Sequence, residues 1–228
     1  MKTTLLSVCV VGLTLAPYGQ DAGKPPVSTP VQTPSPVSEK PTIPALPDVN
    51  PELLRTVIAD QWDRGMDMFG GRPAKTGTPT DWSAVAARDK ERQATVRALV
   101  NKGELKSGRD YQFAALVFQH SESASDVMLA HLFAVTAVLK GQPMAKWLAA
   151  AALDRYLWHT SQPQVFGTQF KQIDGGEGAW TMDPYDRENI SDSVRAEWCV
   201  VSLSEQARVL AALKGGQPAG ATSTPNCE

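Results

Sequence analysis

Two of the three histidines, His120 and His131, and the adjacent pair Asp154-Arg155 are the residues of this sequence best suited to chemistry. An imidazole taken out of water disfavours its charged form, and it then serves as a general base near neutral pH. His131 stands in an apolar run, with Val127, Met128, Ala134 and Val135 three and four positions away. It reads either as a core histidine satisfied by one hydrogen bond or as such a base. His120 follows Gln119 at the end of a helical stretch. There it complements the helix dipole or, where the chain folds back on itself, comes close to His131. Met144, Leu148, Ala151, Arg155 and Trp158 recur at helical spacing, which puts a guanidinium on an apolar stripe. A charge so placed must be paired, so Arg155 is either an interhelix brace with Asp154 or a fork for a carboxylate or phosphate. Arg88, Asp89 and Arg92 sit among Lys90 and Glu91, a pattern that reads as a solvated helix face.

The common catalytic signatures are absent. No GxSxG, HExxH, SxxK, P-loop or GxGxxG occurs, which removes the usual support for serine hydrolase, zinc protease, acylating and nucleotide-binding folds. A metal would have to use His120, His131 and a carboxylate without recognisable spacing, and Asp183, Asp186, Glu188 and Asp192 lack the glycine of a calcium loop. Neither a metal nor a cofactor is expected.

The elements that must position these residues read as helices. Leu53, Leu54, Val57, Ile58 and Trp62 follow the helical period in a first helix that Gly70-Gly71 is expected to end. Asp81 caps a second helix from Trp82, stopped by Gly103. Further helices are expected over 110–120, 125–140, 143–159 with Pro143 in its first turn, and 191–214 closed by Gly215-Gly216. Only 160–189 lacks helical period, and a hairpin around Gly175-Gly176 is the most sheet it allows. From Tyr111 to Phe118 and from Val127 to Leu139 the chain is almost wholly apolar, so those helices should be surrounded by protein. The expectation is an all-α fold, a compact bundle of about six helices in antiparallel pairs.

Composition bounds the function. The 228 residues carry a formal net charge of -2 with 42% hydrophobic and 20% charged residues, which provides no basic field for nucleic acid and no multi-span membrane pattern. Lys2, the apolar run from Leu5 to Leu15 and the breaker at Ala16-Pro17 have the layout of a secretory signal over residues 1–22, or of an anchor where it is not cleaved. Ten of the 17 prolines lie between Pro17 and Pro51, so 23–51 reads as a solvated linker. Its part from residue 24 onward would reach roughly 90 Å in polyproline geometry. The helical domain follows over 52–214 and a flexible tail over 215–228. Export to the periplasm or the extracellular space permits disulfides. If Cys199 pairs with Cys227, the bridge stabilises by about 3 kcal/mol in the chain-entropy account. A free buried Cys199 or an intermolecular bridge is the alternative.

The segment from Trp147 to Phe170, WLAAAALDRYLWHTSQPQVFGTQF, preceded by LVFQH and DVMLAH, resembles the DUF6624 type, a family of bacterial helical proteins of unknown function. The resemblance covers about 85–200 and is most specific in the FGTQ loop. It rests on Leu153, Asp154, Arg155, Gln164, Phe166, Gly167, Thr168 and Gln169, with Gln119-His120 and Arg195 at further family positions. Gly103-Glu104-Leu105 stands where that family has Gly-Trp-Pro. The resemblance implies a fold and a set of positions but no reaction. Folded back over the fifth helix, Gln164, Thr168 and Gln169 would face Asp154, Arg155 and His159 and, with Gln119, His120, His131 and Arg195, form a polar pocket. The leading expectation is an exported domain that binds a small polar or peptidic ligand or a protein partner there, near the cell envelope. The alternative is a hydrolase or transferase with a histidine base and an arginine anion anchor. An enzyme needs a histidine open to a cleft and oriented by a carboxylate.

Overall fold

A computed structural model describes residues 46–68, 80–173 and 180–216. Among them the chain runs α1 (Pro51–Asp63), α2 (Trp82–Asn101), α3 (Gly108–Phe118), α4 (Ala124–Leu139), α5 (Ala145–His159), a two-stranded hairpin of β1 (Lys171–Gln172) and β2 (Trp180–Thr181), α6 (Asp192–Glu197) and α7 (Leu203–Lys214). The fold is a compact all-α bundle of packed helix pairs.

Local chemistry starts most of these helices. The Asn50 side chain accepts from the Glu52 and Leu53 amides and Pro51 fills a first-turn position. Asp81 caps α2 in the same way. Ser107 and Asp110 form a reciprocal capping box at α3. Asp110, only 2% exposed, also accepts the Asn50 amide at 2.8 Å, which ties the starts of α1 and α3 together. α1 packs on α2 and α3, α3 on α4, and α4 on α5. Leu53, Val57, Val96, Phe113, Val117, Phe118, Phe133 and Leu148 make the main core. Ala130, Ala134, Ala149 and Ala152, all fully buried in the same core, present no side chain beyond Cβ and let backbones come close. Leu46 and Val49 pack on this core as well, so the fold takes in residues whose proline content reads as linker.

The structure corrects four expectations. α1 ends at Asp63, where Gly65 at φ +79 turns the chain, and Gly70-Gly71 lie outside the described residues. Pro143 precedes α5 in a turn instead of opening it. The helix expected over 191–214 is two: Cys199 adopts φ +58, and the Trp198 and Val200 amides both close on the Arg195 carbonyl. Ser202 then caps α7 afresh. α4 is not enclosed on every side, since Leu132 and Leu139 are 52% and 82% exposed. The hairpin does form, with Lys171 opposite Thr181 and Gln172 opposite Trp180. Gly175-Gly176, Cys9 and Cys227 lie outside the described residues, as do the signal, most of the linker and most of the tail. Cys199 itself is disulfide-bonded.

Gly167 is required by both its backbone and its surroundings. At φ +67, a Cβ there would lie 2.6 Å from Tyr185 Cζ and 2.8 Å from Met182 Cε. Gly65 is equally left-handed but has nothing within 4 Å. Gly65→Ala should therefore lose about 1 kcal/mol, the backbone term alone. Gly167→Ala should lose at least about 2 kcal/mol more through overpacking, read as the difference in urea midpoints.

Candidate functional site

The residues expected around the FGTQ loop come together at the end of α5. Asp154, fully buried, accepts from the Val165, Phe166 and Thr168 amides and from Thr168 Oγ1, all at 2.8–2.9 Å. Gln164 Nε2 donates to the Gln169 and Met182 carbonyls, and its Oε1 accepts the Gln169 amide at 2.8 Å. Gln169 Nε2 donates to the Ala151 carbonyl at 3.1 Å. Arg195 donates to the Phe166 carbonyl, Tyr185 Oη and Gln206 Oε1, with Asp192 at 3.3 Å from its Nε. Burial drives the Asp154 carboxyl above its ordinary value despite these amide donors. The Tyr185 phenol is pushed up to about 12 by burial, against the opposing pull of Arg195. The polar atoms of this cluster are thus largely engaged with the chain's own backbone, and they strap the 160–170 loop onto α5.

A second polar cluster lies between α1, α2 and the end of α3. Asp60 is fully buried, and its carboxylate lies 3.2–3.3 Å from His120 Nδ1. Gln61 Nε2 donates to Asp60 Oδ2 at 2.7 Å, and Arg64 Nη1 to Oδ1 at 3.0 Å. Arg64 Nη2 continues to Asp89 Oδ2 at 2.5 Å, and Arg92 binds both Asp89 and Asp63. Asp89 and Arg92 are 6% and 9% exposed, which corrects the solvated-face reading of that pair. Arg88, in contrast, is exposed and reaches Asp63 at 2.6 Å. A surface expectation failed here because the partner charges, Asp63 and Arg64, come from the end of α1, 25 to 29 residues away.

These partners set the protonation states. Burial raises the Asp60 carboxyl, but His120, Arg64 and Gln61 together outweigh it and hold it below its ordinary value. Burial lowers the His120 imidazole, Asp60 opposes this, and the Arg64 and Arg155 charges reinforce it. Asp63 falls to about 2, since Arg88 and Arg92 overcome its burial. His120 is therefore neutral and Asp60 ionised near pH 7, so Nδ1–H donates to Asp60 and Nε2 carries the free electron pair. His120, with 8% of its side-chain surface exposed, borders a cleft of about 410 Å³. One wall is the α2 face of Ala86, Asp89, Lys90 and Gln93, and the other runs from Ser121 to Ser123 and Asp126.

The expected residues are thus divided. Gln119, 3% exposed, precedes His120 at the end of α3. Arg155, 8% exposed, is near enough to lower both His120 and His159. His131 has its own partner, the Ala149 carbonyl at 2.9 Å from Nδ1, and bonds α4 to α5. Asp60, Gln61 and Arg64 are the functional candidates that sequence reading missed. Their signal was present: Asp60 and Gln61 stand three and four positions after Val57, on the buried stripe of α1, where polar residues need a reason. Among the described residues, no group of three or more potential ligands could hold a metal ion, and no helix is long and apolar enough to cross a membrane.

A buried histidine with a lowered pKa makes stability depend on pH. Between that lowered value and the ordinary 6.5 the unfolded chain binds more protons, so stability is present above about 6.5 and is lost as pH falls through the folded value. Relative to His120→Gln, wild type should lose stability from about pH 7.5 to about pH 5 in urea titrations. A difference that does not change with pH would give His120 its ordinary value.

A family model described as "Family of unknown function (DUF6624)" matches residues 47–217, about three quarters of the chain. No curated protein and no solved structure matches.

Proposed function

The chain belongs to the DUF6624 family, whose function is unknown, and we propose that its working site is the cleft beside His120, with His120 as general base and Asp60 as the group that orients it. The observation that carries this is the buried Asp60–His120 pair bordering a cleft large enough for a small molecule. A neutral imidazole held by a carboxylate at Nδ1 presents Nε2 to take a proton, the arrangement used by hydrolases and transferases. The polar lining from Lys90, Gln93, Glu122 and Ser123 suits a small polar substrate.

Binding without turnover is a second reading, and one observation favours it. Ser121 Oγ donates to Asp126 and Ser123 Oγ pairs with Ser125 Oγ, so neither hydroxyl in the lining is bonded to His120 as a nucleophile. In the catalytic reading the proton comes instead from water or from a hydroxyl of the substrate. In either reading Arg155 acts on His120 through its charge, and Gln119 is the buried residue just before it. Asp154, Gln164, Thr168, Gln169 and Arg195 act by holding α5, and with it Arg155, in place. We also assign the domain to an oxidising compartment, outside the cytoplasm. The disulfide at Cys199 and the signal-like first 22 residues support that assignment.

Diethyl pyrocarbonate acylates neutral imidazole and reports on the base directly. Mapped by mass spectrometry over a range of pH, His120 should be modified with an apparent pKa below 6.5, and Asp60→Asn should slow it about tenfold or more at neutral pH. A His120 that stays unmodified in folded protein while His159 reacts overturns the assignment. So does any turnover, found by substrate screening of wild type, that persists in His120→Gln.

A further inference from the structure

We infer that Arg64 is the positioning residue of this site: its guanidinium fork locks the Asp60 carboxylate toward His120 and fastens the pair to the cleft wall formed by α2. The inference rests on the reading of His120 as a base and adds a residue that does not border the cleft. Arg64 Nη1 reaches Asp60 Oδ1 at 3.0 Å and the Asp60 carbonyl at 3.1 Å, while Nη2 reaches Asp89 Oδ2 at 2.5 Å. Asp60 is thereby gripped at Oδ1 by Arg64 and at Oδ2 by Gln61, and its remaining direction is toward His120 Nδ1. Asp89 both accepts from Arg64 and lines the cleft, so one side chain couples the wall to the buried pair. Arg64 follows the last residue of α1 as its C-cap, where the chain turns at Gly65, so the backbone itself fixes where the fork begins.

Two different contributions follow from this geometry. The positive charge of Arg64 helps keep Asp60 ionised and His120 neutral, and a lysine would largely share that effect. The planar fork, which spans two carboxylates and a carbonyl, cannot be supplied by a compact ammonium. The charges facing His120 are Asp60 of α1 and Arg64 at its end, Asp89 and Lys90 of α2, Glu122 after α3, Asp126 of α4 and Arg155 of α5. Of these, only Arg64 joins Asp60 to Asp89.

The test uses the full chain and the rate of His120 acylation by diethyl pyrocarbonate, read as an apparent pKa and a high-pH plateau, beside thermal melting. Arg64→Gln should raise the apparent pKa and lower the plateau at least about threefold, because an unheld Asp60 no longer enforces one tautomer. Arg64→Lys should restore the pKa but not the plateau. Arg88→Gln removes another arginine of the same charge network, one that touches Asp63 and not Asp60. It should change neither. The inference is overturned if Arg64→Gln moves His120 no further than Arg88→Gln does. If Arg64→Gln does not fold, an Arg64→Lys plateau equal to wild type overturns it and a reduced one supports it. Failure of the base reading itself would be separate: wild-type His120 would not react at all.

Discussion

A fully buried carboxylate on the inner face of α1 is the constraint around which this end of the bundle is arranged. Removing Asp60 from water is expensive unless its charge is matched and its oxygens are filled. Arg64 and Gln61 come from the same helix and His120 from the end of α3. Arg64 in turn needs Asp89, and Asp89 needs Arg92, which ends on Asp63. The chain of opposite charges zips α1 to α2 at a level where the apolar core has given way to polar residues. The cleft lies at that boundary.

Asp60 and Asp154 are both fully buried, and the contrast between them explains the division of labour. Asp154 is surrounded by neutral donors, three amides and a hydroxyl, and burial wins, so its carboxyl moves up. Asp60 is surrounded by cationic and polar partners that win over burial, so its carboxyl moves down. Neutral donors satisfy the lone pairs of a carboxylate but leave its charge uncompensated, whereas a guanidinium does both. The first arrangement suits a strap that holds a loop to a helix. The second keeps an anion available to orient an imidazole. Arg155 stands next to Asp154 in sequence and acts on His120 in space, so α5 links the two clusters.

Much of the fold was legible because its signals are local. Asp81 and Gly103 mark helix ends through side-chain and backbone bonds within a few residues, and the apolar period of α1 follows from burial of one stripe. The break at Cys199 was not legible, because a left-handed non-glycine residue goes against local preference and is held by the buried Val200 and the disulfide. The exposure of Leu132 and Leu139 was equally hidden, since an apolar helix carries no mark of which side its neighbours leave bare.

For the site, sequence by itself determined the residue types, the apolar setting of His131 and Arg155, and the meeting of Asp154 with the FGTQ loop. That meeting spans fewer than two dozen residues, and the turn that makes it is written in Gly167. Only the tertiary structure decided that His120 faces Asp60 and not His131, because those two residues are 60 positions apart and meet only when α1 packs on α3. It also decided that Asp89 and Arg92 are interior charges, since a helix face is buried or exposed according to what packs on it. Chemistry that depends on long-range pairing of charges is set by packing, and packing is not a property of any one segment.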